Sequence, residues 1–507
     1  MSDKKRLIDN TFFYGLSSYL EYFLGLVITT IIARSLGAEQ YGIYSFILWL
    51  SALGVALLSD GLGITAIRFL AELRGAGKAD EVRPLVRYLL GIFAIAAPVV
   101  ILILVAVYWA TADPTLPAYY WLAIFVIASF LPKAVNIFYI NVAKGIEEYS
   151  TQFYINLIVN PFNLVAVSVV ALLGGGIREF VFAYLLVSVA YALIAWRLVN
   201  RKLVEYPAGT DVSFSTRSES DQVKRSIKLM TITLFLGFIV EKQLEVFVLN
   251  FYSMPVEAGY YNAAFILGVS AIGLVPGVLS GVILPVMARA HKAGKGEQVI
   301  KYRESARYLV ILTVPLVCYG IGFSREIIEL VFGQEFSNSG LAFAVILAAS
   351  GITVMVHSAN SVLLTRDLQH KMLRGVLYGA IINLTIDFLT IPHYGMWGAL
   401  AGFVTTLLFI SAYNTRMAST ALSTTLEWGY YGGVLLVGVL LTIPFLLLKT
   451  HIPDVAAIFL GGMVYVGLFI GGLYVTGLLR NQDREVLSYL LNRIPGLNRL
   501  LRPAESL

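Results

Sequence analysis

The chain has 507 residues, 58% of them hydrophobic and only 13% charged, with a net charge of +6. A soluble domain carries about 25% charged residues, so too few polar side chains are present to coat a globule of this size. Disordered, collagen-like and disulfide-stapled classes fail on the same composition, which includes a single cysteine, Cys318, and a membrane protein with many spans remains.

The N-terminus reads Lys4, Lys5, Arg6 and then turns apolar from about Thr11 to Ala33. That stretch is too long for a signal-peptide core and has no small-residue cleavage site behind it, so it is expected to be the first membrane helix. In chain order the apolar runs predict helices near 10–33, 41–70, 88–110, 117–143, 152–174, 179–199, 229–251, 258–288, 306–323, 340–365, 373–391, 396–415, 429–448 and 454–479. Fourteen spans of about 21 residues would use roughly 294 residues and leave short loops. All but seven of the 37 Lys and Arg residues fall on one alternate set of loops. The exceptions are Arg34, Arg178, Arg325 and Lys449 in the opposite loops, and Arg68, Lys133 and Lys242 within spans. By the positive-inside rule both termini are expected in the cytoplasm. The basic charge is thereby used up as a topology signal, and no nucleic-acid partner is expected.

The longest loop, about Arg201 to Lys228, is rich in Ser, Asp and Arg and reads as a linker. In the C-terminal tail Leu487, Leu490, Leu491, Ile494 and Leu497 recur at helical spacing, which suggests an interfacial helix. An internal repeat is also visible. At a constant offset of 217, Gly42-x-Tyr44 matches Gly259-x-Tyr261, and Gly77-Lys78-x-Asp80-x-Val82 matches Gly294-Lys295-x-Glu297-x-Val299. At an offset of 219, Asn141 aligns with Asn360 and Gly176 with Gly395. Two copies of a six-helix unit, sharing orientation because six is even, are the architecture of a transporter with a central cavity. The expected organisation is a first lobe at 1–200, a cytoplasmic linker at 201–228, a second lobe at 229–420, two extra spans at 421–479 and an interfacial tail at 480–507.

Motifs for chemistry are absent. No G-x-x-x-x-G-K-[ST] or G-x-S-x-G occurs, and the five histidines stand apart without cysteine partners. No enzyme, cofactor or metal site is therefore expected. Asn383-Leu384-Thr385 matches a glycosylation sequon but lies within a predicted span, and is read as a chance match. What remains is a set of ionisable residues inside predicted spans. Each costs at least about 2.5–3.5 kcal/mol to insert and is therefore a functional candidate. Glu21, Asp60, Glu241, Glu245 and Asp387 are the acids, read as an ion-coupling set. Lys133, Lys242 and Arg68 are the bases, suited to an anionic headgroup in a water-filled cavity. Lys242 and Glu245 are three apart and can pair on a helix. Glu241 and Glu245 share a helical face, where two crowded carboxylates suit proton binding. A purely structural ion pair that locks two helices is the competing reading of that group.

At this point the residues resemble a family. Ala33-Arg34-Ser35-Leu36-Gly37-Ala38-Glu39-Gln40-Tyr41-Gly42-Ile43-Tyr44 resembles the opening of polysaccharide-type flippases in the multidrug/oligosaccharidyl-lipid/polysaccharide exporter superfamily. Asp60-Gly61-Leu62-Gly63 with Arg68, Phe332-Gly333-Gln334-Glu335-Phe336, and Tyr394-Gly395-Met396-Trp397-Gly398-Ala399 are similar to later landmarks of that family, in the same order. The resemblance implies a multi-pass protein of the cytoplasmic (inner) membrane. It implies that the protein moves polyprenyl-(di)phosphate-linked oligosaccharide to the outer leaflet by alternating access, driven by a proton or sodium gradient. A polysaccharide polymerase or glycosyltransferases would be its partners, alongside membrane lipids. By position, Arg34 and Arg68 match basic sites of the family and join Lys133 and Lys242 as substrate-binding candidates. The chain lacks the Arg-Asp pair after the first span that marks the lipid II branch, which points away from lipid II itself. An ion-coupled small-molecule exporter of the same fold stands as the alternative.

Overall fold

The computed structural model describes residues 3–111, 119–207, 217–241, 243–448 and 455–480, all in helices and short connections, with no strand among them. Hydrocarbon cannot satisfy a free backbone N–H or C=O, so apolar runs of this length fold as helices. In order these are α1 (Asp3–Val55), α2 (Gly61–Gly75), α3 (Val82–Thr111), α4 (Tyr119–Gly145), α5 (Tyr149–Leu172), α6 (Ile177–Leu203), α7 (Arg217–Glu241) and α8 (Leu244–Phe251). They continue with α9 (Pro255–Ala293), α10 (Lys295–Gly322), α11 (Ser324–Phe332), α12 (Ser339–Thr353), α13 (Val356–Thr365), α14 (Gln369–Tyr394), α15 (Met396–Leu422), α16 (Trp428–Leu448) and α17 (Val455–Val475). Among the described residues eleven helices are long and apolar enough to cross a membrane. The first of these runs 55 residues, Glu21–Gly75, more than twice the roughly 20 that one crossing needs. It is broken by non-helical backbone at Gly37. The expected interfacial helix of the C-terminal tail lies outside the described residues, as does most of the middle of the Arg201–Lys228 loop.

The structure departs from the expected single helices in two spans. The run near 229–251 is divided into α7 and α8 by Gln243, whose φ of 55° is left-handed and unusual for a residue with a side chain. The run near 340–365 is divided into α12 and α13 at Val354–Met355. The second span also carries a π-helical turn, Ala56–Asp60, which places Asp60 at an irregularity of the backbone.

Two compact units are present. The first comprises residues 1–270, 328–346 and 369–413, and the second 271–327, 347–368 and 414–507. In the first, α4 packs on α6, α1 on α5, and α2 on both α4 and α7. The helix junctions of this unit are tied by close contacts. At Gly37 the backbone takes φ 71°, and the next N–H, that of Ala38, donates to Glu335 Oε1 at 2.8 Å. Arg34 Nε donates to the carbonyl of Val331 at 2.8 Å and its second nitrogen to that of Leu330, so a guanidinium caps the C-terminus of α11 where the helix dipole is negative. Asn262 Nδ2 donates to Tyr41 Oη at 2.9 Å and Ser45 Oγ at 2.5 Å. The Glu257 carboxylate accepts the Met396 N–H at the start of α15. Phe336 stacks edge-on against Tyr41 and Tyr260. Nearly all of the short motifs that carried the family resemblance thus meet at this one junction.

Close approach of backbone is possible there because both crossing segments carry glycine. A Cβ at Gly42 would sit 1.8 Å from the Pro255 carbonyl oxygen, and one at Gly259 2.0 Å from that of Ala38. We expect Gly42→Ala and Gly259→Ala each to cost about 1–3 kcal/mol by forcing these backbones apart. Gly91→Ala, whose Cβ would meet nothing within 4 Å, should leave the melting temperature of the purified protein unchanged or slightly raised. A melting temperature unchanged by all three would mean that the crossing is looser than described.

Candidate functional site

Buried polar side chains gather in two places within the first unit. The tighter cluster lies just past the break at Gln243. Glu245 stands in the first turn of α8, where the helix dipole favours a carboxylate, and is 3% exposed. Asn383 Nδ2 on α14 donates to its Oε1 at 3.0 Å. One turn along α14, Asp387 is 0% exposed and lies within electrostatic range of Glu245. The Tyr261 hydroxyl of α9 sits against both carboxylates. Gly402 on α15 makes room for them, since a Cβ there would fall 1.8 Å from Asp387 Oδ1. One turn on from Gly402 is buried Thr406.

Buried polar atoms are nearly always hydrogen-bonded, and this cluster is an exception. Both oxygens of Asp387, Oδ1 of Asn383 and Oγ1 of Thr406 have no hydrogen-bond partner. Two carboxylates, an amide oxygen and a hydroxyl are hard oxygen donors in a space closed to water. Such a set suits a proton or a small hard cation far better than a soft metal. No group of three His, Cys, Asp or Glu residues is arranged as a metal site among the described residues.

The second gathering is a polar ladder on α1, α4, α5 and α6. Asn156 Nδ2 donates to Glu21 Oε2 at 3.0 Å. One turn along α5, Asn160 Oδ1 accepts from Tyr191 Oη at 2.5 Å. The Lys133 ammonium stands 4.7 Å above the Tyr191 ring, a cation–π contact. Lys133 is half-buried, whereas the Glu21 side chain is exposed.

Of the residues singled out from sequence, the structure brings Glu245 and Asp387 together, and Glu21 into one ladder with Lys133. Asp60 is half-buried at its π turn. Arg34 is engaged at the α11 C-terminus, and Arg68 is exposed, paired with Glu72 at 2.8 Å and set over Phe69. Lys242 and the Glu241 side chain lie outside the described residues, and Gln243 is left-handed, so no single helix runs unbroken from Glu241 to Glu245. Sequence reasoning missed Tyr261, Asn383, Thr406, Asn156, Asn160 and Tyr191. The Asn383/Asp387 and Asn156/Asn160 pairs, each four apart inside a predicted span, were the readable signal.

The profile of the family described as polysaccharide biosynthesis protein matches residues 7–291, more than half of the chain. No curated protein matches it in sequence. Among solved structures the chain is similar to the lipid II flippase MurJ in an inward closed conformation, with TM-score 0.69 and 13% identity, covering 92% of this chain and 99% of that one. It is also similar to an inward-facing multidrug resistance MATE family transporter of the MOP superfamily, with TM-score 0.60 and 12% identity over 80% of this chain and 94% of that one. A MOP superfamily transporter from Pyrococcus furiosus gives TM-score 0.56 and 14% identity over 83% and 96%. At these identities the likeness is one of fold.

We expect Asp387→Asn to raise the melting temperature of the purified protein in sodium-free neutral buffer, by the equivalent of about 1–3 kcal/mol, because it replaces two unpartnered acceptors with a neutral group that can donate. A clear fall in melting temperature would mean that the carboxylate already has a donor.

Proposed function

The chain belongs to the polysaccharide biosynthesis protein family, and from that premise we propose that it is a flippase that carries a polyprenyl-(di)phosphate-linked oligosaccharide from the cytoplasmic to the outer leaflet, coupled to a cation at Glu245 and Asp387. The observation that carries the coupling is the set of unpartnered oxygens at Asp387, Asn383 and Thr406, placed beside a broken helix inside the membrane span. Discontinuous helices supply backbone ends for binding ions and substrate in transporters of repeat architecture. The multi-pass helical fold and its likeness to the flippase and MATE structures support the transport reading.

In this reading the two six-helix copies, at 1–200 and 229–420, alternate access to the substrate. The Arg34–Glu335 junction is the outer seal that opens for release. Arg34 then serves the seal rather than the substrate. The polar ladder supplies the headgroup contact. Lys133 meets the phosphate, which lowers the cost of taking a diphosphate through hydrocarbon. The Asn156 and Asn160 amides and Glu21 offer hydrogen bonds to a hydroxyl-rich glycan. Lys242 joins Lys133 as the second basic contact, and Arg68 greets the phosphate at the inner end of the path. Filling the acid cluster with a proton or sodium removes an unpaired charge from the interior, so the conformation that binds the cation is favoured by its differential affinity. The protein sits in the cytoplasmic membrane, where polymerase and glycosyltransferase partners handle the glycan on either side.

The test is transport in vesicles that contain lipid-linked oligosaccharide, read by the fraction of glycan accessible to an outside label. An imposed sodium or proton gradient should accelerate wild-type transport. Glu245→Gln and Asp387→Asn should lose that acceleration, and Lys133→Ala should slow transport at normal membrane insertion. Saturating cation at about 100 times its Kd should also stabilise the wild type by about 2.7 kcal/mol, and Asp387→Asn should not respond. A transport rate indifferent to both gradients sinks the coupling proposal. No glycan movement together with gradient-driven efflux of a small amphipathic dye would replace the flippase with the exporter of the same fold.

A further inference from the structure

The proposed cation site stands on α8 and α14, and the proposed substrate ladder on α1, α4, α5 and α6. A cation shifts an equilibrium only through groups that it holds differently in the two states. Coupling therefore needs a part that moves with Glu245 and touches the helices of the ladder. α8 has the form of that part. It is eight residues long and begins at the left-handed Gln243, so it is not continuous with α7. Residues two apart on a helix stand about 200° apart around its axis. Glu245 therefore faces one side of α8, where Asn383 holds it to α14, and Phe247 faces nearly the opposite side. The far end of α8 is also pinned to α14, by Phe251 against Phe388.

Phe247 meets Trp49 of α1, with the rings stacked at 4.7 Å between centroids. Trp49 also touches Phe238 of α7 at 5.5 Å, so it spans the break at Gln243. α7 is held independently of Trp49, by the Thr65 and Ser226 hydroxyls 3.3 Å apart and by the close approach of Gly61 to Thr231. Trp49 is buried, and its indole N–H has no acceptor, so ring contacts alone set its position. Such contacts are sensitive, because a gap of about 0.5–1 Å forfeits roughly a quarter to a half of the attraction. The segment that carries Trp49 is bonded in turn to the ladder helices. Ser51, two residues on, places its hydroxyl 3.3 Å from that of Tyr184 on α6. In the π turn that follows, Ser59 Oγ donates to the Ala134 carbonyl at 2.8 Å, on α4 next to Lys133.

We propose that Trp49 is a positioning residue that transmits cation binding at Glu245 and Asp387, across the break at Gln243, to the helices of the ladder. The inference rests on the coupling proposed above. Two ionised carboxylates repel each other, and a cation between Glu245 and Asp387 draws α8 toward α14. Phe247, on the far side of α8, then withdraws from Trp49, while Phe238 on the anchored α7 stays in place. Trp49 resettles between the two rings, and Ser51 and Ser59 carry the displacement to Tyr184 and to the backbone beside Lys133.

The test compares, in vesicles that contain lipid-linked oligosaccharide, the transport rate under an imposed sodium or proton gradient with the rate without one. Trp49→Ala should lose the acceleration seen in the wild type. Its rate without a gradient, and its thermal stabilisation by the coupling cation, should stay at wild-type values. Trp49→Phe, which keeps a ring in the stack, should keep the acceleration. Phe247→Ala should match Trp49→Ala, and the double variant should lose no more than either, because both remove one contact. A Trp49→Ala chain that keeps full acceleration, or that slows equally with and without the gradient, overturns the proposal and leaves the cation site standing. A wild-type rate that ignores both gradients overturns the cation site and this proposal together. If Trp49→Ala does not fold, the emission of Trp49, read as the difference between wild type and Trp49→Phe, decides the matter. It should change when the coupling cation is added, and an unchanged spectrum overturns the proposal.

Discussion

Hydrocarbon neither donates nor accepts hydrogen bonds, and the rest of this structure depends on that constraint. It forces the apolar runs into helices, and it makes every polar group left inside them costly enough to need a reason. The break at Gln243 interrupts the backbone ladder of the run near 229–251 where two carboxylates, an amide and two hydroxyls gather beside it. Backbone irregularity and side-chain chemistry coincide there because each relieves the other. The freed first turn of α8 favours the Glu245 carboxylate, and Asn383 ties that carboxylate to a second helix. Asp387 is left without a donor, which is a poor arrangement for stability and a useful one for a site that must bind and release a cation.

The junction around Gly37 follows a different logic. Each polar contact is local, short and matched, with arginine against carbonyls at a helix end and carboxylates against backbone N–H groups at helix beginnings. Glycines let backbones cross within van der Waals contact, as small residues do in membrane bundles generally. Such a junction is complete without a ligand. The acid cluster is not, since Asp387, Asn383 and Thr406 keep oxygens without partners. At these two places the satisfaction of polar groups separates a junction that holds helices together from a cluster suited to binding.

The charges divide in the same way. Arg34, Arg74 and Arg83 reach carbonyl oxygens at the ends of helices, where the dipole rewards a cation. Lys133 instead lies on an aromatic face within a ladder of amides. A cation–π contact leaves the ammonium's N–H groups free to turn to a phosphate, which a bidentate arginine already bound to carbonyls cannot do. Arginine and lysine therefore take different work in this chain, although both count as basic residues inside or near spans.

Much of the fold was legible in the sequence. Hydropathy located the helices, because burial in hydrocarbon is a property of composition and length, and the alternation of Lys and Arg suggested their direction. The candidate acids Glu245 and Asp387 were readable too, since a charge inside a span stands out against apolar neighbours. Their meeting was not readable, because they lie far apart in the chain and only the packing of α8 against α14 joins them. The helical spacing of Glu241, Lys242 and Glu245 assumed one unbroken helix, and a left-handed Gln243 interrupts it, a conformation that residue type alone does not announce. The role of Arg34 was likewise decided by a helix end nearly three hundred residues away. Sequence determined which residues enter the membrane, because transfer into hydrocarbon is paid residue by residue. Tertiary structure decided which of them meet, because hydrogen bonds and charges act over a few ångströms that only the packing of distant helices can bridge.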